Sequence, residues 1–197
     1  KVQGGVGSPF HIKGLWAEWI SANYKPLTDM LEKEDVAGLE KLLENLFREP
    51  LTTGVGGYDI FNKYDKLFGS FYIRYVWSLY RDALAGLDFD VRKTEFPCVG
   101  NPAGVSLGGS IIPIETLRHA YHAVEFCELL KDLPESSVVE IGGGIGGQAY
   151  QAILMSQNSN GKYLVFDIPE VAVLSSYFLL SAFPDMKVRL FGEGEIS

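Results

Sequence analysis

Cysteine, positive charge and long apolar runs are all scarce in this chain. The two cysteines, Cys98 and Cys127, have no metal-ligand spacing and form no disulfide framework. They read as reduced thiols of an intracellular protein. Lysine and arginine number 17 against 25 acids, for a net charge of -8. That balance, with no basic stripe, excludes a nucleic-acid backbone as the partner. Residues 71–87 contain Arg74, Arg81 and Asp82, and residues 163–183 are broken by Asp167, Pro169 and Glu170. Neither run crosses a bilayer without burying charge, so no membrane partner is expected. No signal peptide is visible. Residues 1–8 are glycine-rich, lack an apolar core and read as the edge of a fragment. The expected compartment is the cytoplasm.

The 197 residues suffice for one large or two small domains. A composition 47% hydrophobic and 21% charged is that of an ordinary globular protein. What stands out is a burst of glycine. Residues 138–147 read V-V-E-I-G-G-G-I-G-G. Val138, Val139, Glu140 and Ile141 form a short strand, and Gly142, Gly143, Gly144, Gly146 and Gly147 follow. The pattern then turns helical, with Tyr150, Ile153, Leu154 and Gln157 on one face. Strand, glycine bend, helix is the opening of a mononucleotide-binding βαβ unit. The tight turn needs backbone angles that a side chain obstructs, and a ligand must approach bare backbone. The helix points its unpaired N–H groups into the bend.

Two acids bear on what binds there. Asp167 ends the next apolar run, 163–166, where a carboxylate accepts from both hydroxyls of a ribose. That acid suits NAD and S-adenosylmethionine (SAM) equally. Glu140, just before the bend, does not. It repels a pyrophosphate and suits a ligand with an ammonium, a sulfonium and no phosphate. G142-x-G144-x-x-G147 also satisfies the dinucleotide pattern, a weak match in so glycine-rich a segment.

E-I-G-G-G-I-G (140–146) resembles the first motif of class I SAM-dependent methyltransferases. Y-L-V-F-D-I-P-E-V (163–171) is similar to the second-strand segment of small-molecule O-methyltransferases. With G-N-P-A-G (100–104) and the helix before the sheet, the chain is most similar to a family of sugar O-methyltransferases. The resemblance implies an α/β fold: a Rossmann-like methyltransferase sheet preceded by a helical N-terminal domain. It implies SAM as cofactor and a small-molecule acceptor, a sugar or glycoside. Gly142, Gly143, Gly144 and Gly146 would let the backbone approach the methionyl part and ribose. Glu140 would fix the turn, Asp167 would hold the ribose and Ile168 would line the adenine pocket. Glu193 would accept from the adenine amino group, or is a solvated acid near the chain end.

The helical part is expected over 1–112. A helix over 10–23 carries Leu15, Trp16, Trp19 and Ile20 on one side. Asp35 caps the next, 36–48, whose stripe is Leu39, Leu42, Leu43, Leu46 and Phe47, and Pro50 ends it. The glycine-containing loop 51–58 follows no strand, which argues against a phosphate site. Helices are expected over 59–68 and 70–84. The aromatics Phe71, Tyr72, Tyr75, Trp77 and Tyr80 read as core packing before a sugar-stacking platform. Arg74 and Arg81 read as a solvated ion-pair face before an anion site. Residues 86–113 are loop-like, either over the cofactor mouth or crossing between domains.

Pro113 opens a helix through residue 130. His119 and His122 share one face, with Glu115 a turn earlier. A metal cluster on one helical turn is thinly supported. A hydroxyl acceptor needs a base, and His119 or His122 is the candidate catalytic residue. Otherwise they bridge to the sheet domain, 113–197. Strands are expected over 137–141, 162–166 and 187–191, with helices over 146–157 and 169–183. The last would face Val173, Leu174, Tyr177, Phe178 and Leu180 inward. Three parallel strands in order 3-2-1 are the first half of such a sheet. An open first strand implies a fragment, or an oligomer or separate half that completes it. The rivals are an NAD-dependent oxidoreductase and a non-catalytic nucleoside-binding or assembly module.

Overall fold

A proline and a capping aspartate set the first helix boundaries. The computed structural model describes residues 14–56, 66–87, 89–90, 94–107, 110–133, 135–156 and 161–193. The predicted start of the first helix at 10–13, most of the 59–68 helix, and Gln157 lie outside them. Helix α1 is Leu15–Asn23 and α2 is Lys25–Glu32, with Tyr24 at the corner between them. Helix α2 is not among those expected, although Leu27, Met30 and Leu31 recur at helical spacing. Further signals are Pro26 in the first turn and the Lys25–Asp29 ion pair at 2.7 Å. Helix α3, Val36–Glu44, starts where expected, with the Asp35 carboxylate accepting from the Gly38 amide at 2.9 Å. It ends earlier than predicted. Leu46–Arg48 and Pro50–Thr52 are separate 3₁₀ turns.

Helix α4 runs unbroken over Lys66–Gly86. Trp77, Tyr80 and Leu84, spaced as one helical stripe, pack with Leu117 and Ala120. Phe71, Tyr72 and Tyr75 fall on the other side and are 65%, 42% and 61% exposed. The core packing expected of those three rings is therefore corrected. Arg81 pairs with its neighbour Asp82 at 3.0 Å.

The stretch read as loop holds a hairpin. Strands β1, Val105–Leu107, and β2, Ser110–Ile112, pair antiparallel. G-N-P-A-G has structural work here. The Gly100 carbonyl accepts from the Phe47 amide at 2.9 Å, and Asn101 donates to Asn45 at 2.9 Å. Arg48 donates to the Asn101 and Pro102 carbonyls. A Cβ on Gly104 would strike the Ile112 carbonyl. The segment thus ties α3 to the hairpin.

Helix α5, Ile114–Leu130, leads to β3, Ser137–Ile141. Helix α6, Gly147–Met155, β4, Lys162–Phe166, and α7, Pro169–Ala182, follow. Strands β3 and β4 pair in parallel with Ser137 opposite Lys162 and Ile141 opposite Phe166. A parallel pair joined through a helix makes this an α/β chain. The third strand expected over 187–191 does not form. Its alternating pattern fits a strand, but among the described residues it has no ladder, and extended backbone needs a partner. The chain turns instead, with the Glu193 amide donating to the Leu190 carbonyl at 3.1 Å.

On α7 the buried side is Val171, Leu174, Ser175 and Phe178. Val173 and Leu180, expected to face in, are 36% and 41% exposed. The stripe sits one position round because Val171 and Phe178 meet the helical layer. Ile20, Tyr24, Leu27, Leu42, Leu46 and Phe47 share one core with Ile145, Tyr150, Val171, Leu174 and Phe178. One core therefore joins residues on both sides of position 112. On the sheet, Val139, Ile141 and Phe166 are exposed. Among the described residues no helix is long and apolar enough to cross a membrane.

Gly104→Ala should lower stability by about 2 kcal/mol or more, since backbone must move to admit the methyl group. Gly86→Ala, whose Cβ meets open space at a helix end, should be neutral or slightly stabilising. Urea unfolding of both variants checks the contrast.

Candidate functional site

Strand β3 runs out into the glycine bend. The Gly142 amide donates to the Phe166 carbonyl at 2.8 Å, extending the parallel ladder by one bond. The chain then reverses through Gly142, Gly144 and Gly146 at φ of 78°, 56° and 90°. Side chains rarely adopt that left-handed region, so this turn requires glycine. The Gly146 amide donates to the Gly143 carbonyl at 2.9 Å and closes it.

The sides of the bend differ. A Cβ on Gly142 would meet nothing, so bare backbone faces open space there. One on Gly143 would strike Val165 and come within 3.5 Å of the Glu140 carboxyl. One on Gly144 would lie 3.3 Å from the Val55 carbonyl oxygen. The loop at 51–56 therefore reaches the bend, and presents it with an acceptor rather than a phosphate-binding donor. Gly146 rests on Leu179 and Phe178 of α7.

Asp167 holds the bend from the neighbouring strand end. One carboxylate oxygen accepts from the Gly144 amide at 2.7 Å, the other from the Ile168 amide at 2.7 Å. A carboxylate has about four acceptor directions, so each oxygen keeps capacity for a ligand hydroxyl. Ile168 packs on the shared core just before α7. Glu140 is half-buried and accepts from the Tyr163 hydroxyl at 3.1 Å. Burial raises its pKa, the Tyr163 bond opposes that, and the Asp167 charge adds to it.

Sequence reasoning missed three neighbours. Val55 is one. Tyr24 is fully buried, and its hydroxyl has no hydrogen-bond partner. Burial raises its pKa, as do the charges of Asp167 and Glu170. Glu170, in the first turn of α7, has one buried oxygen also without a partner. Glu170 lies within the D-I-P-E-V stretch and could have been singled out there. Tyr24 carries no sequence signal.

Of the remaining expected residues, His119 touches the end of the glycine segment at Gly147. Glu193 is exposed, and its carboxylate accepts from the Leu190 amide at 2.9 Å within its own turn. The ring of His119 lies against Gly147, where a Cβ would come within 2.6 Å of Nδ1. Desolvation, then the Arg118 and His122 charges, hold its pKa down at about 3. It stays neutral at physiological pH. His122 is exposed and bonds Glu125 at 3.2 Å. Glu115 pairs with Arg118 at 2.7 Å. Among the described residues no group of three or more His, Cys, Asp or Glu is arranged to hold a metal. Cys98 is exposed and Cys127 half-buried. A cleft of about 600 Å³ bordered by Asn45, Cys98, Asn101 and Tyr177 contains none of the expected residues.

No family model, curated protein or solved structure matches the chain.

His119 makes stability depend on pH. Its folded pKa of about 3 lies below the ordinary 6.5, so the unfolded chain binds more protons between those values. Its contribution is complete above the ordinary value and falls as pH drops. Between pH 7 and pH 5 about 2 kcal/mol should be lost. Urea midpoints at the two pH values should show this, and His119→Gln should flatten the difference.

Proposed function

We propose that this chain binds SAM against the glycine bend of a Rossmann-like methyltransferase domain. It would serve O-methyl transfer to a hydroxylated small molecule such as a sugar. What carries this is the company the bend keeps: Asp167 holds the Gly144 amide, and Glu140 lies beneath Gly143. Every charged group that shifts Glu140 or Tyr24 is a carboxylate. Such a field opposes a pyrophosphate and favours a ligand with cationic and hydroxyl groups. The open space at Gly142 and the spare acceptor capacity of Asp167 fit a nucleoside without phosphate.

Bound SAM supplies a methyl group whose bond to a positive sulfur breaks with the electron pair left on sulfur. The chain's own residues hold and align. Asp167 would take the ribose hydroxyls while its backbone bonds keep it from turning away. Glu140, anchored by Tyr163, would offset positive charge at the bend. Ile168 would supply the apolar edge for the base. For the acceptor, the exposed rings of Phe71 and Tyr75 offer stacking faces to a sugar.

Titration calorimetry tests the cofactor. S-adenosylhomocysteine should bind and NADH should give no heat. Asp167→Asn should weaken S-adenosylhomocysteine about tenfold to a hundredfold, the loss expected for charge-assisted bonds. Binding of NADH alone would overturn the proposal.

A further inference from the structure

One side of α4 carries exposed rings, and its residues are spaced as a helix–helix seam. Trp77, Tyr80 and Leu84 mark the opposite side, which packs with Leu117 and Ala120 of α5. Round the helix from them come Phe71, Tyr75, Ser78, Asp82 and Ala85, in steps of four, three, four and three. That recurrence lets one helix present a continuous strip to another. Phe71 and Tyr75 are 65% and 61% exposed, and Leu79 beside them is 51% exposed. Arg74 and Arg81, both exposed, border the strip. The Asp82 side chain is 71% exposed although it pairs with Arg81, so its carboxylate keeps room for a second donor.

The strip is complementary to itself in one direction. Set against an antiparallel second copy with Ser78 opposite Ser78, Arg74 comes level with Asp82 of that copy, four residues either side of the centre. Phe71 comes level with Ala85, and Tyr75 with Arg81, a ring with a guanidinium. Ser78 at the crossing is small, and its hydroxyl already donates to the Tyr75 carbonyl at 2.7 Å, so two helices can close there without stranding a polar group. Parallel pairing instead sets Asp82 on Asp82 and Arg74 on Arg74, which repel. An anionic membrane is opposed by Asp82 in mid-strip and by the net charge of -8. The two rings and Leu79 leave roughly 300 Å² of apolar surface exposed per copy. Two copies with their charged borders would bury about 1,000 Å², the low end for a specific contact. We propose that this chain self-associates through a two-fold, antiparallel pairing of α4, a weak dimer in which the rings supply affinity and the Arg74–Asp82 pairs set register. The pairing covers the rings that a sugar would otherwise stack on, so the two occupants exclude each other.

Sedimentation velocity of the whole chain tests it. The weight-average mass should rise from one chain toward two across the micromolar range. Tyr75→Glu should raise the dissociation constant at least about tenfold. Arg74→Asp and Asp82→Arg should each weaken the dimer about threefold to tenfold, and the double variant should return to within about threefold of wild type. Such recovery cannot arise inside one chain, because the two residues lie about 12 Å apart along the helix. All three positions are exposed, so the variants should keep the wild-type Tm. A dimer indifferent to Tyr75→Glu, or a double variant without recovery, would overturn the proposal. A monomer throughout would overturn it too and return the rings to the acceptor sugar. Calorimetry with S-adenosylhomocysteine reads the bend separately, so either reading can fail alone.

Discussion

The Asp167 carboxylate pins the glycine bend to the end of the neighbouring strand, and the rest of the site is built on that pin. It bonds one amide on the bend and one at the start of α7. Two segments distant in sequence meet at one side chain: the glycine bend after β3 and the turn from β4 into α7. A bend of three left-handed glycines has little stiffness of its own. A charged acceptor at 2.7 Å supplies it, since such bonds are about twice as strong as neutral ones. Shape at the bend thus depends on the Asp167 carboxyl group, the one that the proposed ribose diol would also use.

The second constraint is the shared core. Phe47, Phe96, Tyr150 and Phe178 form a connected group of tilted and edge-on rings. Phe47 belongs to the 3₁₀ turn after α3, Phe96 to the crossover, Tyr150 to α6 and Phe178 to α7. Gln151 adds a polar tie, donating to the Glu95 carbonyl at 2.6 Å. The same core holds Tyr24 and Val55, and Val55 meets Gly144 of the bend. It also accounts for G-N-P-A-G as a structural knot, so a likeness resting on that motif carries less about sugar than its place in the resemblance suggests.

Local chemistry was legible in the chain. Strands β3 and β4, the Asp35 cap, Pro113 before α5 and Pro169 in α7 all follow from short-range rules. What could not be read depends on partners. Residues 187–191 have a strand's pattern, but among the described residues they join no ladder. The rings at 71, 72 and 75 have a core residue's chemistry, but the face of α4 that is buried is chosen by α5. Tyr24 was invisible for the same reason. Its burial in the shared core is set by how the helical layer packs, and nothing in the residues around it announces that. Of the site itself, the bend and its two acids were readable because two short strands and their turns create them.

Charge at the bend explains why such an arrangement would be kept. A carboxylate whose pKa is raised by burial and a neighbouring acid prefers to hold its proton when folded. Its contribution to stability therefore falls as pH rises from the ordinary carboxylate value through the raised one. Burial and the nearby Asp167 charge thus make the charged form of Glu140 costly, and the Tyr163 hydroxyl offsets part of that cost. Fold stability alone would favour an amide there. A ligand bringing positive charge to the bend reverses the sign, since the same two charges then lower its free energy. On the proposed reading, the cost of gathering carboxylates at the bend and a preference for a sulfonium nucleoside over a pyrophosphate are one electrostatic fact.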